Sequence, residues 1–226
     1  MRKVEMFGDS ILRGVMYDGT RKKYCLCGDR AFADLQSRGL EVRNHAKMGA
    51  TIEDGLARVQ RVLPEGTDAS DTTVLLEFGG NDCDYRWDEV AEDPTGSFLP
   101  NLPSEKFLEQ YRKAIRWAKA RGARVALTSL VPINASRYFE WISRGRNASN
   151  ILRWLGDKSM LYRWQEQYSR LVERLSFEMD CPMIDERDAF LKSHQFTDLL
   201  CEDGIHPTQA GHDLFRRTIA DFCLGE

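Results

Sequence analysis

No stretch of the sequence approaches the roughly 18 consecutive apolar residues that a membrane-spanning helix needs. Residues 1–7 lead directly into a motif and contain neither the apolar region nor the small-residue cleavage site of a secretory signal. We therefore predict no membrane span and a cytoplasmic location, although a signal removed beforehand would leave the same N-terminus.

Charge of a single sign is absent as well. The chain has 32 lysines and arginines against 35 aspartates and glutamates, which gives a formal net charge of −3. Neither a basic tail nor a basic helix stands out, so there is no electrostatic reason to expect a nucleic acid as partner. The composition gives no indication of the oligomeric state.

Cysteine is scarce, with six residues in a chain of 226. A chain of this size without a secretory signal is expected to keep its thiols reduced. Cys25 and Cys27 form a C-x-C pair, but no second cysteine or histidine pair with the spacing of metal ligands accompanies it. We therefore predict no metal site.

What the chain does contain is enough apolar material for one sizeable core, at 42% of its residues. Short apolar runs predict strands at 4–7, 40–43, 72–78, 124–130 and 182–184. Amphipathic stretches predict helices at about 29–38, 52–63, 107–118, 161–175 and from 208 onward. This alternation predicts an α/β protein, a three-layer α/β/α sandwich around a flavodoxin-like, five-stranded parallel sheet.

No repeat, low-complexity tract or Pro/Gly-rich linker divides the sequence, so we predict a single domain over residues 1–226. Two segments, at about 83–103 and 132–158, fit the alternation poorly. Both follow predicted strands directly and are long for plain connectors. We interpret them as insertions at the edge of the sheet where such folds place their sites.

A serine stands at the end of the first predicted strand, in Gly8-Asp9-Ser10. At the carboxyl edge of a parallel sheet its hydroxyl can reach a substrate, and its own N–H can help to hold a developing oxyanion. A serine needs a base to become a nucleophile. By itself the tripeptide equally indicates an ordinary turn.

One of the four histidines is suited to be that base. His206 lies in Asp203-Gly204-Ile205-His206, and the three-residue offset can bring the Asp203 carboxylate to Nδ1 of the ring. That contact would fix the tautomer and leave Nε2 for the serine. The segment could instead be a loop that precedes the last helix, but the presence of Ser10 favours catalysis.

Donors for an oxyanion are suggested at two further strand ends. The strand predicted at 72–78 leads into Gly79-Gly80-Asn81-Asp82, where glycines permit close approach and the Asn81 amide can donate. Gly49 follows the second predicted strand and can offer a backbone N–H. Each of these segments, taken alone, could also be a simple turn.

Together these segments resemble, in order and placement, the four conserved blocks of the SGNH, or GDSL-like, hydrolases. The resemblance extends from residue 8 to residue 206. It implies that Ser10 is nucleophile and first oxyanion donor, with the Gly49 N–H and the Asn81 amide completing the oxyanion hole. It further implies that His206 is the base, that Asp203 orients it, and that carboxylic esters are hydrolysed without any cofactor.

The same residues bear on three other classes of protein. A dinucleotide-binding domain needs G-x-G-x-x-G after the first strand, and residues 8–14 do not have that spacing. A receiver-type signalling domain needs an aspartate where Gly79 and Gly80 stand. A catalytically silent carbohydrate-binding relative stays open. The resemblance gives Asp9 and Asp82 a role in supporting their loops rather than in the reaction.

The substrate is indicated only by aromatic residues concentrated in the two insertions. Aromatic faces near a hydrolytic site can stack on sugar rings, so Trp87, Tyr138 and Trp141 are candidate substrate-binding residues. They favour a short acyl group, such as acetyl, on a carbohydrate or another small molecule. The alternative is an acyl-chain pocket of a lipase, thioesterase or lysophospholipase type, and many of these rings could simply pack the insertions onto the sheet.

Overall fold

The computed structural model describes residues 3–28 and 30–225, so Asp29, with which the first predicted helix begins, lies outside the described residues. The strands are β1 Lys3–Gly8, β2 Val15–Asp18, β3 Lys23–Leu26, β4 Glu41–Asn44, β5 Thr72–Glu77, β6 Arg124–Thr128 and β7 Met183–Ile184. The helices are α1 Ser10–Arg13, α2 Arg30–Ser37, α3 Ile52–Val62, α4 Trp87–Glu92, α5 Ser104–Lys119, α6 Ala135–Ile142, α7 Ala148–Leu155, α8 Ser159–Glu178, α9 Glu186–Leu191 and α10 Gln209–Leu224, with a 3₁₀ helix at Phe196–Leu199.

Five of the strands form a parallel sheet in the order β4-β1-β5-β6-β7. Counting only the strands of this sheet, the order is 2-1-3-4-5, so the predicted flavodoxin-like arrangement is confirmed. The apolar run of β5 is fully buried at Val74, Leu75 and Leu76, as a strand covered on both faces requires. The order in which the chain adds strands to the sheet reverses beside β1, and ligands of such sheets bind at that point.

Helices cover both faces of the sheet and give the predicted three layers. On one face α3, α5 and α8 enclose a core that includes Phe7, Phe107 and Tyr111. On the other face α2 and α10 enclose a second core around Met6, Leu35 and Phe215. In the described part of the chain, no helix has the length and hydropathy needed to cross a bilayer.

The two predicted insertions contain helices and pack against each other. Helix α4 of the first contacts α7 of the second, and their buried side chains form a third apolar cluster. Asn134 and Asn147 begin α6 and α7 by accepting backbone N–H groups three residues ahead. These helices have eight residues or fewer. That is about two turns, too short for a clear helical period in the sequence.

The β2–β3 hairpin is a second unpredicted feature. The two strands pair antiparallel from Val15 opposite Leu26 to Asp18 opposite Lys23. In the turn, the Asp18 carboxylate accepts the backbone N–H groups of Thr20 and Arg21. Four-residue strands with half-exposed side chains carry little hydrophobic alternation, so the sequence pattern gave no signal for them.

A glycine sets how closely α3 approaches the end of β5. Gly55 is buried in α3, and a Cβ at that position would lie 2.5 Å from Cζ of Phe78. Because an aromatic ring held in a core cannot yield by that amount, Gly55 is required by contact rather than by backbone conformation.

We therefore expect Gly55→Ala to lower the free energy of unfolding by about 1–3 kcal/mol through overpacking. Helix propensity alone would predict a gain of about 1 kcal/mol. Urea denaturation of the parent and of Gly55→Ala measures the difference in free energy of unfolding. The control Arg61→Ala, exposed on the same helix, should change stability by no more than about 0.5 kcal/mol. A Gly55→Ala protein as stable as the parent would show that the ring of Phe78 leaves room for a methyl group at position 55.

Candidate active site

Ser10 lies at the carboxyl end of β1 as the first residue of α1. Asp9 caps this short helix, and its Oδ1 accepts the N–H of Ile11 at 2.8 Å. The cap holds the turn that directs the serine away from the sheet. The Ser10 side chain is largely buried, at 7% exposure, within a cavity described below.

His206 and Asp203 lie together in the loop before α10, and the histidine contacts Ser10. The Ser10 Oγ–H donates to His206 Nε2 at 2.9 Å, and His206 Nδ1–H donates to Asp203 Oδ2 at 2.7 Å. The other carboxylate oxygen, Asp203 Oδ1, accepts the backbone N–H groups of Ile205 and His206. Asp203 is fully buried. The Asp203 carboxylate therefore accepts the ring N–H and two backbone N–H groups, and the ring is held in the tautomer that leaves Nε2 as an acceptor.

The loop that carries this pair is braced by the second insertion. Arg137 of α6 donates from Nη1 to the carbonyls of Thr197 and Leu200, each at 2.7 Å. Gly204 has a positive φ of 77°, and a Cβ there would lie 2.6 Å from the Asn134 carbonyl oxygen. The Asp-Gly-x-His spacing thus reflects a loop pressed so closely against α6 that only glycine fits at its second position.

Asn81 lies beside Ser10, and both N–H groups of its side-chain amide already have acceptors. Its Nδ2 donates to Asp9 Oδ2 and to the Ala50 carbonyl oxygen, each at 3.1 Å. The Ala50 contact places the Gly49 loop next to Asn81, and Gly49 has the positive φ of 76° that suits glycine. Among the described residues, no protein acceptor takes the N–H of Ser10 or of Gly49. These two N–H groups are therefore free to bind an oxyanion.

The two residues after Asn81 are buried and hydrogen-bond to the surrounding backbone. Asp82 Oδ1 accepts the N–H of Ile52 at 3.0 Å, which ties the β5 loop to the start of α3, and burial raises the pKa of this carboxyl to about 7. Cys83 is buried, its thiol donates to the Gly80 carbonyl, and burial raises its pKa well above the usual range. A thiol in this state is a poor nucleophile at neutral pH.

A cavity opens beside Ser10 and His206. Its aromatic lining comes from both insertions and from α8, and aliphatic side chains complete it. Asp84 lies in one wall, where its Oδ1 accepts from Tyr138 Oη at 2.6 Å and from Trp87 Nε1 at 2.9 Å. Besides Ser10 and His206, the side chains that line the cavity include Tyr85, Trp87, Leu130, Val131, Ile133, Tyr138, Leu161 and Trp164.

The structure brings two of the three predicted substrate-binding aromatics into this cavity. Trp87 and Tyr138 line it, whereas Trp141 packs against the β2–β3 hairpin, with its ring 4.6 Å from that of Tyr17. Tyr24 of the same hairpin lies edge-on to His206 at 5.1 Å. Trp141 therefore contacts the hairpin and is not among the residues that line the cavity.

Sequence reasoning missed Asp84 and Trp164 as lining residues. Asp84 follows the Gly-Gly-Asn-Asp block by two residues, and this proximity was a usable signal. Trp164 belongs to the apolar stripe of α8, which predicted burial in a core. Nothing in a helical stripe distinguishes a core ring from one that faces a cavity.

A serine hydroxyl bonded to a histidine that is oriented by a buried aspartate, with free N–H groups at the carboxyl edge of a parallel sheet, is the arrangement of a serine-hydrolase site. No group of three or more histidine, cysteine, aspartate or glutamate side chains suited to a metal occurs among the described residues. Residues 6–214 match the model of the GDSL-like lipase/acylhydrolase family. The chain belongs to this family and is a hydrolase of the SGNH type.

Solved structures share the fold along the whole chain. A lipase/acylhydrolase from Enterococcus faecalis is 22% identical, with 100% of this chain and 96% of that one covered and a TM-score of 0.69. TesA is 19% identical over 96% of each chain, with a TM-score of 0.60. An acetyl xylan esterase, AlAXEase, is 20% identical over 96% of this chain and 97% of that one, with a TM-score of 0.61. No functionally curated protein matches the chain.

We expect Asp203→Asn to lower kcat by about 10⁴-fold, the loss that serine proteases show when this acid becomes an amide. The amide would favour the wrong tautomer of His206, so Nε2 would carry a proton and could not accept one from Ser10. Hydrolysis of a nitrophenyl ester measures the change. Asp213→Asn, which alters an exposed carboxyl on α10, should leave kcat unchanged. A loss below tenfold in Asp203→Asn would contradict an orienting role.

Proposed function

We propose that the protein is a serine esterase that hydrolyses carboxylic esters through an acyl-enzyme on Ser10. The observation that carries this proposal is the pair of hydrogen bonds, 2.9 Å and 2.7 Å long, that link Ser10 to His206 and His206 to Asp203. A serine with a correctly oriented base is an activated nucleophile, and a buried aspartate stabilises the imidazolium that forms. The chemistry needs no cofactor.

In the first half of the cycle, Ser10 Oγ attacks the ester carbonyl carbon while His206 Nε2 accepts its proton. The carbonyl oxygen becomes an oxyanion held by the N–H groups of Ser10 and Gly49. Asn81 joins them by turning one N–H from the Ala50 carbonyl to the oxyanion. His206 then protonates the leaving alcohol as its C–O bond breaks, which leaves the acyl group on Ser10.

The second half repeats these steps with water. His206 takes a proton from water, whose oxygen attacks the acyl carbon and forms a second oxyanion in the same place. Collapse of this intermediate breaks the bond to Ser10 Oγ, which regains the proton from His206, and the acid leaves. Substitution of Asn81 by alanine should lower kcat by about 10²–10³, as for other oxyanion-hole side chains.

For the substrate we propose a short acyl group, such as acetyl, on a carbohydrate or another ring-bearing small molecule. Support comes from the ring faces of Tyr85, Trp87 and Trp164 around the cavity and from the Asp84 carboxylate as an acceptor for hydroxyl groups. The structural similarity to a protein described as an acetyl xylan esterase agrees with this choice. Aromatic faces with adjacent polar acceptors suit sugar rings.

The second candidate is a hydrolase of longer acyl chains, of the lipase or thioesterase type. The observation that favours it is the aliphatic part of the cavity lining, formed by Leu130, Val131, Ile133 and Leu161. Such a surface would bury methylene groups at about 0.8 kcal/mol each. The two candidates differ in how activity changes with acyl-chain length.

Labelling with a fluorophosphonate tests whether Ser10 is the nucleophile. The protein should form a covalent adduct, and Ser10→Ala should form none. Ser129→Ala alters another buried serine hydroxyl and should label like the parent. Failure of the parent to label would instead support a silent carbohydrate-binding relative.

The substrate class is tested with nitrophenyl esters of increasing chain length beside acetylated xylan and acetylated xylose. Acetyl esters should give the highest kcat/KM, and a preference for chains beyond about eight carbons would favour the second candidate.

Trp164→Ala should lower kcat/KM for acetylated xylose about tenfold, because a stacked ring contributes about 0.5–1.5 kcal/mol beyond its buried area. The loss on ethyl acetate, which has no ring, should stay below about twofold, since only the stacking contact is removed. Trp154→Ala is the matched control, because this ring packs against Trp164 at 5.2 Å but does not line the cavity. Equal losses on both substrates would contradict ring stacking.

A further inference from the structure

Asp84 is held in the lining of the cavity by donors that carry no charge. Its side chain is half-buried and lines the same cavity as Ser10. Oδ1 accepts from Tyr138 Oη at 2.6 Å and from Trp87 Nε1 at 2.9 Å, and the backbone N–H of Tyr85 also donates to the carboxylate. These donors satisfy the hydrogen-bonding capacity of Asp84 without supplying a positive charge.

The cation whose charge acts on Asp84 is bound to another acid. Arg146, from the second insertion, binds the exposed Asp88 with Nε at 2.6 Å and Nη2 at 3.1 Å. Its third nitrogen, Nη1, donates to the Ile142 carbonyl oxygen. In the described part of the chain, no lysine or arginine forms an ion pair with Asp84, and none lines the cavity. The lining therefore leaves this acidic group without a counterion.

Aromatic rings extend from Asp84 along the cavity lining. Trp87 and Tyr138 contact the carboxylate directly. The ring of Tyr85 lies 5.8 Å from that of Trp87 and 4.7 Å from that of Trp164, so the lining rings form one connected group. Aromatic rings attract alkylammonium groups through the negative potential of their faces, and such rings form the cages that bind quaternary ammonium ligands. An anionic substrate would find no basic side chain among them.

The hydrogen bonds of Asp84 favour its charged form. Burial raises the pKa of this carboxyl, whereas the bonds from Tyr138, from the Tyr85 N–H and from Trp87, together with the charge of Arg146, lower it. A cation in contact would favour ionisation further. A partly buried carboxylate without an ionic partner raises the free energy of the empty site, and a bound cation offsets that cost.

We propose that Asp84 and the rings beside it bind an ammonium group on the alcohol portion of the ester. This inference rests on the proposed esterase function, in which a short acyl group leaves the cavity to the alcohol. A sugar hydroxyl can also donate to Asp84, but it leaves the charge of the carboxylate uncompensated. Asp84 is thus a specificity-determining residue that takes no part in proton transfer between Ser10 and His206.

The matched substrates are acetylcholine and its neutral carbon isostere, in which a tert-butyl group replaces the trimethylammonium group. Both present the same acetyl ester and the same shape, so their ratio of kcat/KM reports the charge alone. We expect the parent to favour acetylcholine about tenfold or more, mainly through a lower KM, as a desolvated cation contact provides. A parent that reacts with a fluorophosphonate but shows no such preference would overturn the cation site and leave the esterase function standing.

Asp84→Asn assigns the preference to this residue. Asparagine has the shape of aspartate and keeps an oxygen acceptor for a hydroxyl group, but it has no charge. The ratio of kcat/KM should fall to about one, because the loss on acetylcholine exceeds the loss on the isostere. Asp93→Asn alters an exposed acid of the same insertion and should keep the parent ratio. An Asp84→Asn protein that keeps the preference would contradict the assignment.

Binding of tetramethylammonium, measured by titration calorimetry, is independent of catalysis. The parent and Asp93→Asn should bind this ion, and Asp84→Asn should bind it about tenfold more weakly or not at all. Absence of binding to the parent would overturn the proposal even if Asp84→Asn does not fold. A parent that binds the ion but is not labelled by a fluorophosphonate would overturn the esterase function while supporting the cation site.

Discussion

The hydrogen bond between Ser10 and His206 joins residues that are 196 positions apart in the chain, and the rest of the structure serves to make it possible. It requires that β1 lie inside the parallel sheet rather than at its border, and that the loop before α10 return to the same edge. The sheet supplies the first condition, because β1 is hydrogen-bonded to β4 on one side and to β5 on the other. The second condition depends on elements outside the sheet.

The returning loop has little regular structure of its own and is held from outside. Arg137 binds two of its carbonyls, Gly204 lies against α6, and Tyr24 of the hairpin contacts the imidazole edge-on. An insertion and a hairpin therefore hold the loop that carries His206, although both lie outside the five-stranded sheet. The insertion that contains α6 therefore supports the His206 loop as well as lining the cavity.

The sequence predicts the sheet and the four blocks well because each is a local signal. The strand at 72–78 is a continuous apolar run, and Ser10 and Asn81 stand shortly after strands, where topology must bring them together. The hairpin and the short helices of the insertions have no comparable period. The position of Trp141 shows the same limit, since whether a ring faces a cavity or a hairpin depends on tertiary packing. Likewise, nothing local indicates that Glu77 touches Asp9, 68 positions away.

Buried acids at this edge of the sheet are costly to the fold and useful to the site. Asp9, Glu77 and Asp82 are nearly inaccessible, and burial raises the pKa of each. Apolar side chains would be cheaper to bury, but each of these carboxyl groups holds a backbone N–H of a neighbouring turn or helix start. Because Asp9 and Glu77 are buried side by side, their titration steps belong to the pair rather than to either carboxyl group alone.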